Sequence, residues 1–80
     1  MSQDKAQARP LSMWTIYERP RDYPTHFVTR RIDVHQGFTV HTDDFHLCSS
    51  LEEARQHVPG SAVNIGREPA DDPVIVETWL

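Results

Sequence analysis

Apolar and polar positions alternate from Phe27 to Val34, with Val28, Ile32 and Val34 on one side and Phe27, Thr29, Arg31 and Asp33 on the other. A period of two is that of a strand. Arg30 interrupts the apolar side, so its guanidinium must reach water or find a carboxylate. Upstream, Trp14 and Ile16 followed by Arg19-Pro20 predict a short strand ending in a turn. Arg21-Asp22-Tyr23-Pro24 prolongs that loop, because both prolines forbid a regular ladder. His35-Gln36-Gly37 predicts a three-residue hairpin loop with Gly37 in the left-handed bulge conformation. Phe38-Thr39-Val40 opens the return strand. Two readings then diverge: one long strand to about Cys48, bulged at Asp43-Asp44, or a second tight hairpin turning at those aspartates. The long strand is preferred, because the strand before it is long and needs a partner. Ala62 to Ile65 predicts a further strand, and Val74 to Leu80 the last. Its unbroken Val74-Ile75-Val76 start suggests burial on both faces, as in a central strand.

The only helical segment runs from about Leu51 to Val58 and turns Leu51, Ala54 and Val58 inward. Ser50 caps its first turn, Glu53 completes a capping box, and Pro59-Gly60 stops it. A helix this short is not stable alone and must dock on the sheet. These elements predict an α+β fold: a mainly antiparallel sheet of four or five strands with one short helix on one face. Residues 1–12 are polar, lack periodicity and contain Pro10, which predicts a disordered tail before a single domain at 13–80. Met13 offers a second translation start.

Composition narrows the function. Eighty residues allow one domain of marginal stability. No apolar run approaches the ~20 residues of a membrane span, and the N-terminus lacks the apolar core of a secretory signal. A single cysteine, Cys48, forms no internal disulfide, so a reducing cytoplasm is the expected location. The net charge is −4 but unevenly spread. Arg19, Arg21, Arg30 and Arg31 face only Glu18 and Asp22 within residues 13–31, whereas residues 32–80 set Arg55 and Arg67 against nine acids. The simplest expectation is mutual neutralisation across the sheet, with Arg30 and Arg31 taken up by Asp43 and Asp44. The alternative is a basic patch for an acidic partner. Nucleic acid is disfavoured, because the acidic remainder repels phosphate.

Tyr17, Tyr23 and Phe27 lie near those arginines, as core residues or as anchors for a protein partner. A partner surface is therefore expected at Arg19, Arg21, Tyr23 and Arg31, for an acidic protein or a second copy, with a nearby strand edge able to pair. Five histidines are many for this length, and His35, His41 and His46 lie close to Asp43-Asp44. A tight turn there would set His41 and His46 about 5 Å apart across a hairpin, able to share zinc with Asp43. Cys48 beside Phe45 and Leu47 reads as a small core residue, not a nucleophile. Asp43-Asp44 and Asp71-Asp72 lie in turn contexts, where aspartate bonds its own backbone.

Met13-Trp14-Thr15-Ile16-Tyr17-Glu18-Arg19-Pro20, Ser49-Ser50-Leu51-Glu52-Glu53-Ala54-Arg55 and Asp71-Asp72-Pro73-Val74-Ile75-Val76-Glu77 resemble a group of short, uncharacterised bacterial proteins. The resemblance covers residues 13–80 and implies domain limits, with no activity attached. The expected function is a small non-catalytic binding module without a cofactor; the alternative is a metal- or ligand-binding accessory protein using the His35, His41 and His46 region.

Overall fold

The computed structural model describes residues 10–80. Five strands and one helix follow in the order β1 (Leu11–Glu18), β2 (Phe27–His35), β3 (Phe38–Cys48), α1 (Leu51–Arg55), β4 (Asn64–Gly66) and β5 (Ile75–Trp79). The sheet is antiparallel throughout, with strand order β3-β2-β1-β5-β4. This is the α+β architecture expected from the periodicities. No helix among the described residues is long and apolar enough to cross a membrane.

β1 begins at Leu11, two residues before the expected boundary. Leu11 pairs with Val34 and Ser12 with Asp33, and Ser12 Oγ donates to Asp33 Oδ1 at 3.0 Å. The expected tail therefore gives up its last two residues to the sheet, and its first nine lie outside the described residues. His35 pairs with Phe38, so the hairpin loop is Gln36-Gly37, one residue shorter than expected. Gly37 has φ +93, the left-handed conformation that a two-residue hairpin requires.

β3 is one long strand, and its irregularity falls where the aspartates are. Arg30 pairs with Phe45 but Ile32 with His41, so Thr42, Asp43 and Asp44 together oppose Arg31. Thr42 holds this bulge in place. Its Oγ1 donates to the Arg31 carbonyl at 2.7 Å and accepts from the Asp44 N–H at 3.1 Å, satisfying groups that the interrupted ladder strands.

The helix is shorter than the sequence pattern suggests. It closes after Arg55, and tighter turns continue through His57 N–H to Ala54 O and Val58 N–H to Arg55 O. Ser50 is the N-cap, accepting from the Glu53 N–H at 3.1 Å. Glu53 reaches back to Ser49, one residue before the usual target. Ala54 is fully buried with Ile16 and Cys48, and Phe27, Leu51, Val58, Val76 and Trp79 close around them. Thr29 sits in this core because its hydroxyl donates to the Ala54 carbonyl at 2.7 Å.

The helix therefore lies on the face carrying Ile16, Phe27 and Thr29. Val28, Ile32 and Val34, the apolar side of β2, point the opposite way. β5 pairs on both edges as expected of an inner strand, but Ile75 and Val76 are only half-buried. Its deeply buried residue is Glu77.

Candidate functional site

The face opposite the helix carries Leu11, Met13, Thr15 and Tyr17 from β1 and Val28, Arg30, Ile32 and Val34 from β2, set by the pairing of these strands. Leu47 and His41 join them through pairing with Val28 and Ile32. At its other side Val63 and Leu80 exchange both backbone bonds, at 2.8 and 2.9 Å. Asn64 pairs with Trp79 on the helix side, so Val63 falls on the open side; the register then shifts, and Ile65 with Gly66 opposes Thr78, which pairs with Thr15 of the open face.

The loop between β1 and β2 folds over one end of this open face. Turns closed by Tyr23 N–H to Pro20 O and His26 N–H to Tyr23 O give it shape. Tyr23 packs against Phe45, ring centroids 5.9 Å apart, and the Arg30 guanidinium lies 4.7 Å over the same ring. Among the described residues Arg30 thus has no carboxylate partner; a cation–π contact on its own face accommodates it. Tyr17, Pro20, Asp22, Tyr23, Val28, Arg30 and His41 border an open cleft of about 260 Å³. A second cleft, of about 360 Å³, shares Tyr17, Pro20 and Asp22 and adds Arg21, Asp72 and Val74. Burial raises the Tyr17 phenol above its ordinary value; Asp72 and Asp71 add to this and Arg30 opposes it.

The four expected partner residues divide between the faces. Arg19 and Arg21 are exposed on the loop, and Tyr23 is half-buried there. Arg31 lies on the helix side, with Nε 3.3 Å from Asp33 Oδ1 and NH1 3.8 Å from Asp44 Oδ2. The sheet pleat turns neighbours Arg30 and Arg31 to opposite faces, so Arg31 is neutralised locally and cannot share a surface with Tyr23. Asp22 and Asp72 beside Arg21 make the loop end mixed in charge.

The histidine pairing that a tight turn would create does not form, because β3 runs through as one strand. In the continuous strand β3, His41 lies opposite Ile32 on the open face and His46, an odd number of residues on, opposite Thr29 on the helix side, so they do not face one another. Asp43 is exposed in the bulge. His35 stacks on Phe38 at the hairpin, centroids 4.6 Å apart.

His46 instead meets a residue the sequence reading passed over. Its ring stacks on His57 at 4.0 Å and 10°. Cys48, Glu53 and His57 each bring one potential metal-ligand atom to within 4.8 Å of the other two. Cys48 ends β3, Glu53 is in the first turn of α1, and His57 follows the helix. Two bonds from Ser49 lower the Glu53 pKa, helped by His57 and His26. Burial, then Glu53, pushes the Cys48 thiol up, with Thr29 partly opposing. A buried thiol with a raised pKa is not an activated nucleophile. The available signal for this cluster was Glu53 and His57 four residues apart on one helical face, with Cys48 just before the cap.

Compared with protein-family models, curated proteins and solved structures, the chain matches none.

Proposed function

We propose that this chain is a small non-catalytic interaction module that works as a pair, with a second copy docked on the open sheet face. The observation that carries the reading is the exposed apolar margin of that face: Leu11 is 56% exposed, Leu47 43%, Val63 63%, Ile65 55% and Leu80 38%, around Thr15, Val28 and Ile32, which are already covered. Only Ile16, Val28, Ile32, Cys48 and Ala54 are buried apolar residues, a small core among the described residues. A chain of this size gains stability when a second layer covers the exposed apolar part of a sheet face, and a second copy is a layer every molecule has available.

Area and edges favour face-to-face docking over strand addition. Five strands at about 4.8 Å spacing make a face roughly 24 Å wide, the scale at which a standard interface buries about 800 Å² per partner. The outer strand β4 has three residues, and β3 carries a bulge with Asp43 and Asp44. Short and bulged, charged edges discourage pairing with another strand. Arginines and aspartates mix at the loop end, so charge does not single out an acidic partner.

Sedimentation equilibrium of the full chain is expected to show a reversible dimer. Val63→Glu with Ile65→Lys should return it to monomer without changing its circular dichroism. A chain that stays monomeric at all accessible concentrations overturns the reading. A dimer broken by charge reversal at Arg19 and Arg21, but not by the Val63 and Ile65 changes, places the contact on the loop and also overturns it.

A further inference from the structure

We propose that Cys48, Glu53 and His57 bind one divalent transition-metal ion of the zinc type, on the face away from the docking surface. The argument rests on placement. Three different donor types converge from the end of a strand, the first turn of a helix and the turn after it, all within 4.8 Å. A tetrahedral ion with bonds of about 2.0–2.3 Å needs donors roughly 3.3–3.6 Å apart. The remaining closure is roughly 1 Å, within reach of side-chain rotation by Glu53 and His57 at the surface.

The surroundings prepare the donors. Cys48 is 1% exposed, and its sulfur makes a weak 3.7 Å bond to the His46 carbonyl, beside its contact with Thr29. It is therefore fixed by packing and aims at the cluster from inside. Glu53 Oε1 accepts from the Ser49 N–H at 2.8 Å and from Ser49 Oγ at 2.7 Å. This holds the carboxylate and leaves its other oxygen for an ion, the role outer partners play in metal sites. The stacked His46 ring, 4.0 Å away, steadies His57. When the sulfur–metal bond forms, the thiol proton leaves to solvent.

Donor chemistry selects the ion. One thiolate, one imidazole and one carboxylate suit zinc or cobalt, whereas calcium and magnesium require oxygen donors. The site differs from the sequence alternative of His41, His46 and Asp43, because the continuous strand sets His41 and His46 on opposite faces. It also stands apart from the proposed pairing, since its residues lie on the helix side.

Cobalt(II) titration of the reduced full chain tests the site. One equivalent should saturate it, with a near-ultraviolet thiolate-to-cobalt band that zinc removes. The chain has one cysteine, so such a band identifies Cys48 without mutating a core residue. His57→Ala, a surface change, should weaken binding at least about tenfold, no less than loss of an outer partner does. His41→Ala should leave it unchanged. Absence of the thiolate band, a band indifferent to His57→Ala, or binding that depends on His41 overturns the proposal.

Discussion

Arg55 and Glu77 form a two-pronged ion pair between the helix and β5: Nε donates to Oε2 and NH2 to Oε1, each at 2.8 Å. The Glu77 side chain is only 7% exposed, and Trp79 Nε1 also donates to its Oε2 at 2.8 Å. The pair ties the helix to the inner strand beside the core cluster. Arg55 is 46% exposed, so it is the buried Glu77 charge that is stranded when Arg55 alone is removed, and not when both are. Arg55→Met is therefore expected to lower the urea midpoint. Adding Glu77→Leu should recover most of that loss. A single variant as stable as the parent would show that the pair contributes nothing.

Acid stability should report the same carboxylate. The Arg55 bond lowers the Glu77 pKa against the opposing effect of burial, with Trp79 and Asn64 also lowering it. A group with a depressed folded pKa stabilises the fold above its unfolded value, about 4.3 for glutamate. That stability is lost as pH falls through the folded value. The parent should therefore weaken on acidification below about pH 4, and Glu77→Gln should show a shallower fall there. Glu53, lowered by Ser49, adds to the parent slope in the same direction, so the difference between the two proteins is the quantity to measure.

Ser50→Ala should cost about 1 kcal/mol in chemical denaturation, because the Glu53 N–H loses its acceptor at the first turn. Ser49→Ala should cost less, since the Ser49 N–H still reaches Glu53 Oε1. The reverse ranking would make Ser49 the effective cap.

Arg19 has φ +49, a left-handed conformation that costs a residue with a Cβ about 1–2 kcal/mol. Glycine removes that strain but adds freedom to the unfolded chain. Arg19→Gly should thus raise stability modestly, by about 0.5 kcal/mol. A drop in melting temperature would mean that the arginine side chain stabilises the turn.

A chain beginning at Met13 should be less stable than one beginning at Pro10. The shorter form loses the Leu11–Val34 and Ser12–Asp33 pairs and the Ser12 hydroxyl bond to Asp33. Equal melting temperatures would show that the first two residues of β1 contribute nothing.

Local chemistry was readable along the chain. The Ser50 cap bonds a group three residues away, and Gly37 has the positive φ that its hairpin position requires. The β2 alternation followed directly from the strand period. The bulge at Asp43-Asp44 was foreseen only as one of two choices, because a pair of aspartates suits a turn and an interrupted ladder equally. His41 and His46 would meet only across a tight turn; in one continuous strand their odd spacing sends them to opposite faces.

By itself, then, the sequence determined an antiparallel α+β frame, its turns and the position of its helix. These depend on neighbours within a few residues and on the two periods of backbone geometry. Only the tertiary structure decided which face the helix covers, because alternation separates two faces without saying which will be buried. It also decided that Arg31 meets Asp33 while Arg30 covers Phe45, that Arg55 reaches Glu77, and that His57 meets Cys48 and His46. Those contacts depend on how α1 crosses the sheet and on the register set by the bulge, and neither is contained in any local stretch of residues.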